Sequence, residues 1–213
     1  MTNNRNDNVN TRNLVVDILL AVTRDGEFSH IAIRDVLDKY RYLPKQDRAF
    51  ITRLSQGTLE RMIELDAIIN QFSKTKVKKM KPVIAAILRS GVYQLKYMDS
   101  VPDSAACNEA VKLTVKRGFG GLKGFVNGVM RTIARNMDQI RYPDAEKEPV
   151  RYLSVKYSIP EWLVQRFTEQ YGPLRSSATE PAIQNACKPI PIASAASAAF
   201  VQPFLIAIAA PTT

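Results

Sequence analysis

The sequence predicts an all-α protein, and three features of its 213 residues lead to this expectation. Apolar residues recur every three to four positions as far as about residue 172, which is the period of helices that bury one face. No stretch alternates apolar and polar residues in the manner of a half-buried strand. Prolines and several of the glycines fall between the periodic stretches, where helices begin and end. The expected architecture is a bundle of about six to seven helices, followed by one or two short helices.

The first helices are predicted from apolar faces in the N-terminal third of the chain. Residues 11–26 and 29–40 each present one apolar face, and Gly26 follows the end of the first helix. Residues 45–72 carry a longer periodic pattern, which is long enough for one bent helix or for two.

Five further helices are predicted after residue 81, and prolines indicate several of their starts. Pro82 opens a helix over residues 82–98, since a proline in the first turn loses no hydrogen bond. Two amphipathic segments follow at residues 104–117 and 122–137, and two shorter ones open at Pro149 and Pro160.

Three glycines lie inside predicted helices, where each costs about 1 kcal/mol relative to alanine. These are Gly57, Gly91 and Gly128. Our hypothesis is that they let helices approach closely, and simple tolerance of glycine is the alternative at each position.

The composition favours a polyanionic partner and excludes several kinds of site. The net charge is +10 and the pI is about 9.7, which favours RNA or DNA over an acidic small molecule. Cys107, Cys187 and His30 are the only cysteines and histidine, so neither a zinc cluster nor another metal site is expected. His30 lies near a helix start, where a structural role is expected. No apolar run approaches the ~20 residues of a membrane helix, and two cysteines suit a reducing cytoplasm.

A cluster of glycines between residues 118 and 124 raises the question of a phosphate-binding loop. Such a loop needs a strand before it and a helix after it, whereas this cluster follows a helical segment. The glycines are at positions 118, 120, 121 and 124, and Lys123 occupies the position where a dinucleotide fingerprint has its third glycine. The pattern therefore predicts a turn that ends one helix and leads into the next.

Three basic clusters are candidates for contacts with RNA phosphates. Aromatic residues are not interleaved with them, so recognition of shape and backbone is expected rather than base stacking. The clusters are an N-terminal arm with Arg5 and Arg12, a lysine loop with Lys74, Lys76, Lys78, Lys79 and Lys81, and a third group of Lys116, Arg117 and Lys123.

Several blocks of sequence resemble the NusB-like RNA-binding domain. The stretch "VPDSAACNEAVKLTVKRGFGGLKGFVNGVMRTIAR" is similar to its C-terminal helix pair, and "DRAFITRLSQGTLERMIELDAII" to its central helices. The resemblance implies a NusB-like helical bundle that binds RNA. Because that family uses arginines near its start for RNA, the resemblance favours Arg5 and Arg12 among the three clusters.

The segment after this bundle indicates which branch of the family the chain resembles. The stretch "VRYLSVKYSIPEWLVQRFTEQYG" resembles the junction that leads into the S-adenosylmethionine-dependent domain of RsmB/Sun-type ribosomal RNA cytosine-C5 methyltransferases. The resemblance implies a domain that recruits 16S ribosomal RNA. A free-standing transcription antitermination factor of NusB type, binding boxA-like RNA, is the alternative, and a helical protein-interaction module is a third. The sequence leaves the oligomeric state open.

The resemblance divides the chain into three parts, of which the last departs from the family. Residues 1–140 correspond to the RNA-binding domain, and residues 141–172 to a linker and the first helix of the methyltransferase half. Residues 173–213 contain three charged residues and six prolines, and are expected to be a disordered, non-homologous tail. Our hypothesis is that a frameshift produced it. The family's Pro-Cys and Thr-Cys motifs are missing, so we predict no catalytic residue, no bound cofactor and no activity for this chain alone.

Overall fold

The computed structural model describes residues 9–171, and the regular secondary structure of this part of the chain is all helical. Arg5, Cys187 and the predicted tail at residues 173–213 lie outside the described residues. The α-helices are α1 (Thr11–Thr23), α2 (Ser29–Lys39), α3 (Lys45–Glu60), α4 (Met62–Phe72), α5 (Pro82–Tyr97), α6 (Asp103–Lys116), α7 (Lys123–Arg135), α8 (Pro149–Tyr157) and α9 (Glu161–Tyr171). Within residues 9–171, seven helices followed by two further short ones confirm the predicted fold class.

Helix α5 lies at the centre of the bundle. Its side chains are buried on almost every side, and it packs against α1, α3, α4, α6 and α7. A helix that is apolar around most of its circumference needs such neighbours, whereas the amphipathic helices around it keep one face in water. Residues such as Ile84, Ile87 and Leu88 are no more than 1% exposed, and each contributes roughly 1.5–3 kcal/mol by burial.

The long pattern at residues 45–72 forms two helices rather than one bent helix. Arg61 separates them, with φ −102° and ψ 17°, which is outside the helical region. The backbone N–H of Arg61 still bonds to the carbonyl of Gly57 at 3.0 Å, so α3 ends in a regular way before α4 begins.

Helices α8 and α9 have a small apolar core of their own. Leu153, Ile159 and Val164 are buried together, and Val150 and Phe167 pack around them. Helix α8 also packs against α4, so the pair lies on the surface of the main bundle.

Two of the three helical glycines occupy positions of close approach, and the third does not. A Cβ atom on Gly57 would collide with the hydroxyl group and ring of Tyr93, and one on Gly91 would lie 2.7 Å from Cε of Met130. Gly128 is exposed, and no atom lies within 4 Å of a Cβ placed there. Close packing therefore explains the glycines at Gly57 and Gly91. The hypothesis of close packing is wrong for Gly128.

We predict that alanine has opposite effects at these sites. Gly128→Ala should raise the melting temperature by about 2–4 °C, because alanine favours the helix by about 1 kcal/mol without meeting a neighbour. Gly57→Ala should lower it, because the buried Tyr93 ring must move. Thermal unfolding followed by circular dichroism checks both, and an increase for Gly57→Ala would contradict this account.

Candidate nucleic-acid interface

The lysine loop at residues 73–81 is held in place by its own short-range contacts. Val77 is buried and opens a single 3₁₀ turn, and its N–H donates to Oδ1 of Asn70 at 2.8 Å. The ammonium of Lys76 donates to the carbonyl of Asn70 at 3.1 Å. The loop thus presents its lysines from a defined backbone. The exposed members of the set are Lys74, Lys76, Lys78 and Lys79.

The glycine cluster forms a turn between two helices, as the sequence predicts. Gly118 has φ +82°, a conformation that glycine adopts without strain. Its N–H donates to the carbonyl of Val115 at 3.0 Å, and the N–H of Phe119 donates to the carbonyl of Thr114 at 2.9 Å. This pair of hydrogen bonds is the Schellman arrangement that ends α6. The exposed side chains of Lys116 and Lys123 lie on either side of the turn.

One contact joins the lysine loop to the glycine turn. Lys81, the last residue of the loop, places its ammonium 5.5 Å from the ring centroid of Phe119. Lys81 thus lies beside the glycine turn, and we call the lysines of the loop and of the turn together the cationic surface. In the part of the chain that the structure describes, no carboxylate oxygen lies within 4.0 Å of these ammonium groups. Its members are Lys74, Lys76, Lys78, Lys79, Lys81, Lys116 and Lys123.

The two candidate arginines within the described residues make internal contacts instead. Arg117 donates to the side chain and the carbonyl of Asn13, both at 2.8 Å, and pairs with Asp17 at 2.7 Å. Arg12 donates to Gln94 at 2.7 Å and lies 4.9 Å from the centroid of the Phe50 ring. Burial lowers the pKa of Arg12, and the nearby Glu109 carboxylate offsets part of that effect. Both arginines fix α1 to its neighbours.

Comparison with known proteins identifies the bundle. The NusB family model matches residues 9–135. The chain belongs to the NusB family. The transcription antitermination protein NusB of Agathobacter rectalis is 38% identical over 90 residues, which cover 42% of this chain and 69% of that protein.

Longer relatives match beyond the NusB bundle. The probable ribosomal RNA small subunit methyltransferase B of Bacillus subtilis is 36% identical over 161 residues. That match covers 76% of this chain and 35% of the relative, and a protein of the same name from Synechocystis gives nearly the same shares. The chain thus spans about a third of the length of these curated relatives.

Two solved structures share the fold. The NusB chain in a complex of antitermination factors NusB and NusE with double-stranded RNA superimposes with a TM-score of 0.54 at 22% identity. It covers 59% of this chain and 93% of that one. The structure of PH0851 gives a TM-score of 0.62 at 16% identity and covers 86% of this chain and 40% of that one.

The segment after the NusB match is fixed to α4 by hydrogen bonds at three points. Gln71 exchanges two bonds with the backbone of Arg141, at 2.6 and 3.0 Å. The hydroxyl of Ser158 accepts from the N–H of Ile63 at 3.0 Å, and so caps the first turn of α4 from another helix. Arg61 donates to the carbonyl of Lys156 at 3.4 Å.

A buried carboxylate provides the fourth attachment. Glu64 is 2% exposed and accepts from Lys96 and Tyr97 at 2.5 Å and from Tyr142 at 2.6 Å. Tyr142 belongs to the segment that follows the NusB match, so this charge links the bundle to its extension. Burial and the bond to Glu64 raise the pKa of Tyr97, and they do the same for Tyr142. The pKa of Lys96 is raised, because Glu64 and Tyr142 outweigh the opposing effect of burial.

The sequence prediction missed this attachment and part of the charged surface. Glu64 lies among the apolar residues of "MIELDAII", and a lone carboxylate on an apolar face is the signal that could have found it. Two exposed arginines of α7, Arg131 and Arg135, were also missed, although they lie four residues apart on one face.

Membrane-spanning helices and metal sites are absent from residues 9–171. None of the helices there has the length and apolar character needed to cross a bilayer. No group of three or more histidine, cysteine or acidic side chains in this range could hold a metal ion. Cys107 is buried, and burial raises the pKa of its thiol.

We predict that Glu64→Gln destabilises the bundle, because it leaves the Lys96 ammonium without its counter-charge in a nearly buried position. Breaking such a pair costs roughly 2–4 kcal/mol when one partner keeps some exposure, which corresponds to about 5–10 °C in melting temperature. Glu60→Gln is the matched control, since Glu60 is exposed one turn earlier. Equal melting temperatures for the two variants would refute the role of Glu64.

We also predict that stability falls as the pH rises above about 10. The raised pKa values of Lys96, Tyr97 and Tyr142 mean that each group holds its proton more tightly in the folded chain than in the unfolded one. Below their ordinary pKa values, 10.0 for tyrosine and 10.5 for lysine, these groups make their full contribution to the free energy of unfolding. That contribution is lost as the pH rises through the raised pKa values of the folded chain. The free energy of unfolding, measured with urea at several alkaline pH values, should decline less with rising pH for Tyr97→Phe than for Tyr42→Phe. The second variant alters an exposed tyrosine and serves as the control.

Proposed function

We propose that this chain carries the RNA-binding part of a 16S ribosomal RNA cytosine-C5 methyltransferase, and that its cationic surface binds folded rRNA through the phosphates. The observation that supports this proposal is the Lys81–Phe119 contact, which places the last lysine of the loop beside the glycine turn that Lys116 and Lys123 flank. Exposed ammonium groups without carboxylate partners release counterions when they meet phosphates, which drives binding. The complex of NusB and NusE with RNA supports the same use of the fold.

The extent of the matches supports the methyltransferase branch. The relatives named as rRNA methyltransferases align with 76% of this chain, whereas the NusB factor of A. rectalis aligns with 42%. A match of this length extends beyond the NusB bundle into α8, which packs against α4. Methyl transfer and its S-adenosylmethionine cofactor are proposed only for the longer proteins of this kind. An antitermination factor that binds boxA-like RNA is the second candidate, which the NusB family match favours.

The test is an anisotropy titration of labelled 16S rRNA fragments, repeated between about 50 and 200 mM salt. We expect the affinity to fall steeply with salt. Lys74→Gln, Lys78→Gln and Lys79→Gln together should weaken binding to all fragments and reduce the salt slope by about one per lost phosphate contact.

The matched control is a triple variant with the same charge change elsewhere, Lys39→Gln, Lys45→Gln and Lys147→Gln. It should bind almost as well as the unmodified chain. Binding that is flat across the salt range, or equal losses in the two triple variants, would refute the cationic surface as the RNA site. Tighter binding to a boxA-like oligonucleotide than to every rRNA fragment would favour the second candidate.

A further inference from the structure

The outward face of α7 carries a line of polar and basic side chains. Only the first of them, Lys123, belongs to the cationic surface. Lys123, Asn127, Arg131 and Arg135 follow one another at intervals of four residues. Side chains four apart share one face of a helix, and twelve residues extend about 18 Å along its axis. The three basic residues are exposed, so the line runs along the surface from the glycine turn to the end of α7.

The charges around this line are predominantly positive. From the start of α6 to the end of α7 there are six basic residues and two acidic ones, and one of the acids, Glu109, is paired with Lys112 at 2.8 Å. Arg131 donates to Asn127 at 2.9 Å, which leaves its terminal nitrogens available. None of the ion pairs found within residues 9–171 involves the basic residues of the line.

Beside this line, the backbone of α7 is not covered by side chains. Gly124 and Gly128 lie on the same face, both exposed, and a Cβ at either position would meet no atom within 4 Å. Gly128 therefore has no packing role, unlike Gly57. The arrangement leaves a shallow strip in which a phosphate backbone can approach the helix between the basic side chains.

We propose that this face of α7 is a second RNA contact, which holds the sugar–phosphate backbone of the strand that continues from the cationic surface past Lys123. The inference rests on the proposed function and extends it to Arg131 and Arg135. An acidic polymer fits the face better than a membrane, because the apolar residues of α7, such as Val126, Val129 and Met130, are buried on the opposite side. Side chains at helical intervals contact phosphates without reading bases, so the contact is independent of sequence.

The test compares two double variants in the full chain with a 16S rRNA fragment as the probe. Arg131→Gln with Arg135→Gln should weaken binding roughly tenfold and reduce the salt slope by about one to two. Arg34→Gln with Arg41→Gln removes the same charge from exposed positions on and just after α2, and should change affinity less than about twofold.

A third variant tests the shape of the strip without changing the charge. Gly128→Leu places a side chain over the bare backbone in open space, so it should weaken RNA binding at least about threefold while the melting temperature does not fall. This variant guards against a loss of binding that comes only from a loss of fold.

The outcomes separate this inference from the proposed function. If the unmodified chain binds rRNA and both double variants lose affinity equally, or if Gly128→Leu binds normally, the α7 contact is overturned and the proposed function stands. If the unmodified chain does not bind rRNA, both are overturned.

Discussion

The structure depends on the burial of α5, because the cationic surface and the attachment of the extension lie at its two ends. Lys81 precedes the first turn and reaches the glycine turn through Phe119, whereas Lys96 and Tyr97 in the last turn hold Glu64. The two ends are about 22 Å apart, since fifteen residues of helix separate them. A helix surrounded by apolar neighbours is rigid, so the basic surface and the attachment of the extension keep a fixed separation.

The helical fold could be predicted from sequence because periodicity and helix boundaries are local properties. The turn at Gly118 is an example: a helix that ends with a left-handed residue favours glycine, whatever the rest of the fold does. The division at Arg61 was left open, because a non-helical residue inside a continuous apolar pattern has no local signature. Gly128 shows another limit of prediction from sequence. Only the positions of the neighbouring helices reveal that nothing packs against it.

The roles of the charged residues are harder to predict, because a basic side chain looks the same in sequence whether it binds RNA or stabilises the fold. Arg12 packs against α5 with one hydrogen bond to Gln94, and Arg117 packs against α1, where its planar guanidinium group satisfies several acceptors at once. The exposed members of the lysine loop suit phosphates as mobile point charges. Residue type and burial together separate the two roles, and burial is a tertiary property. Arg5 lies outside the described residues and stays a prediction.

The attachment of residues 141–159 to α4 indicates where the structural unit that contains the NusB bundle ends. The family match stops at residue 135, yet Glu64 lies within it and takes one of its three short hydrogen bonds from Tyr142. Ser158 likewise supplies a cap to α4 from a residue with φ 58°, a conformation that costs a serine energy. A buried carboxylate and an uncapped helix start are both unfavourable when left without partners. The extension therefore satisfies groups of the NusB bundle itself, so the bundle and the α8–α9 pair form one structural unit.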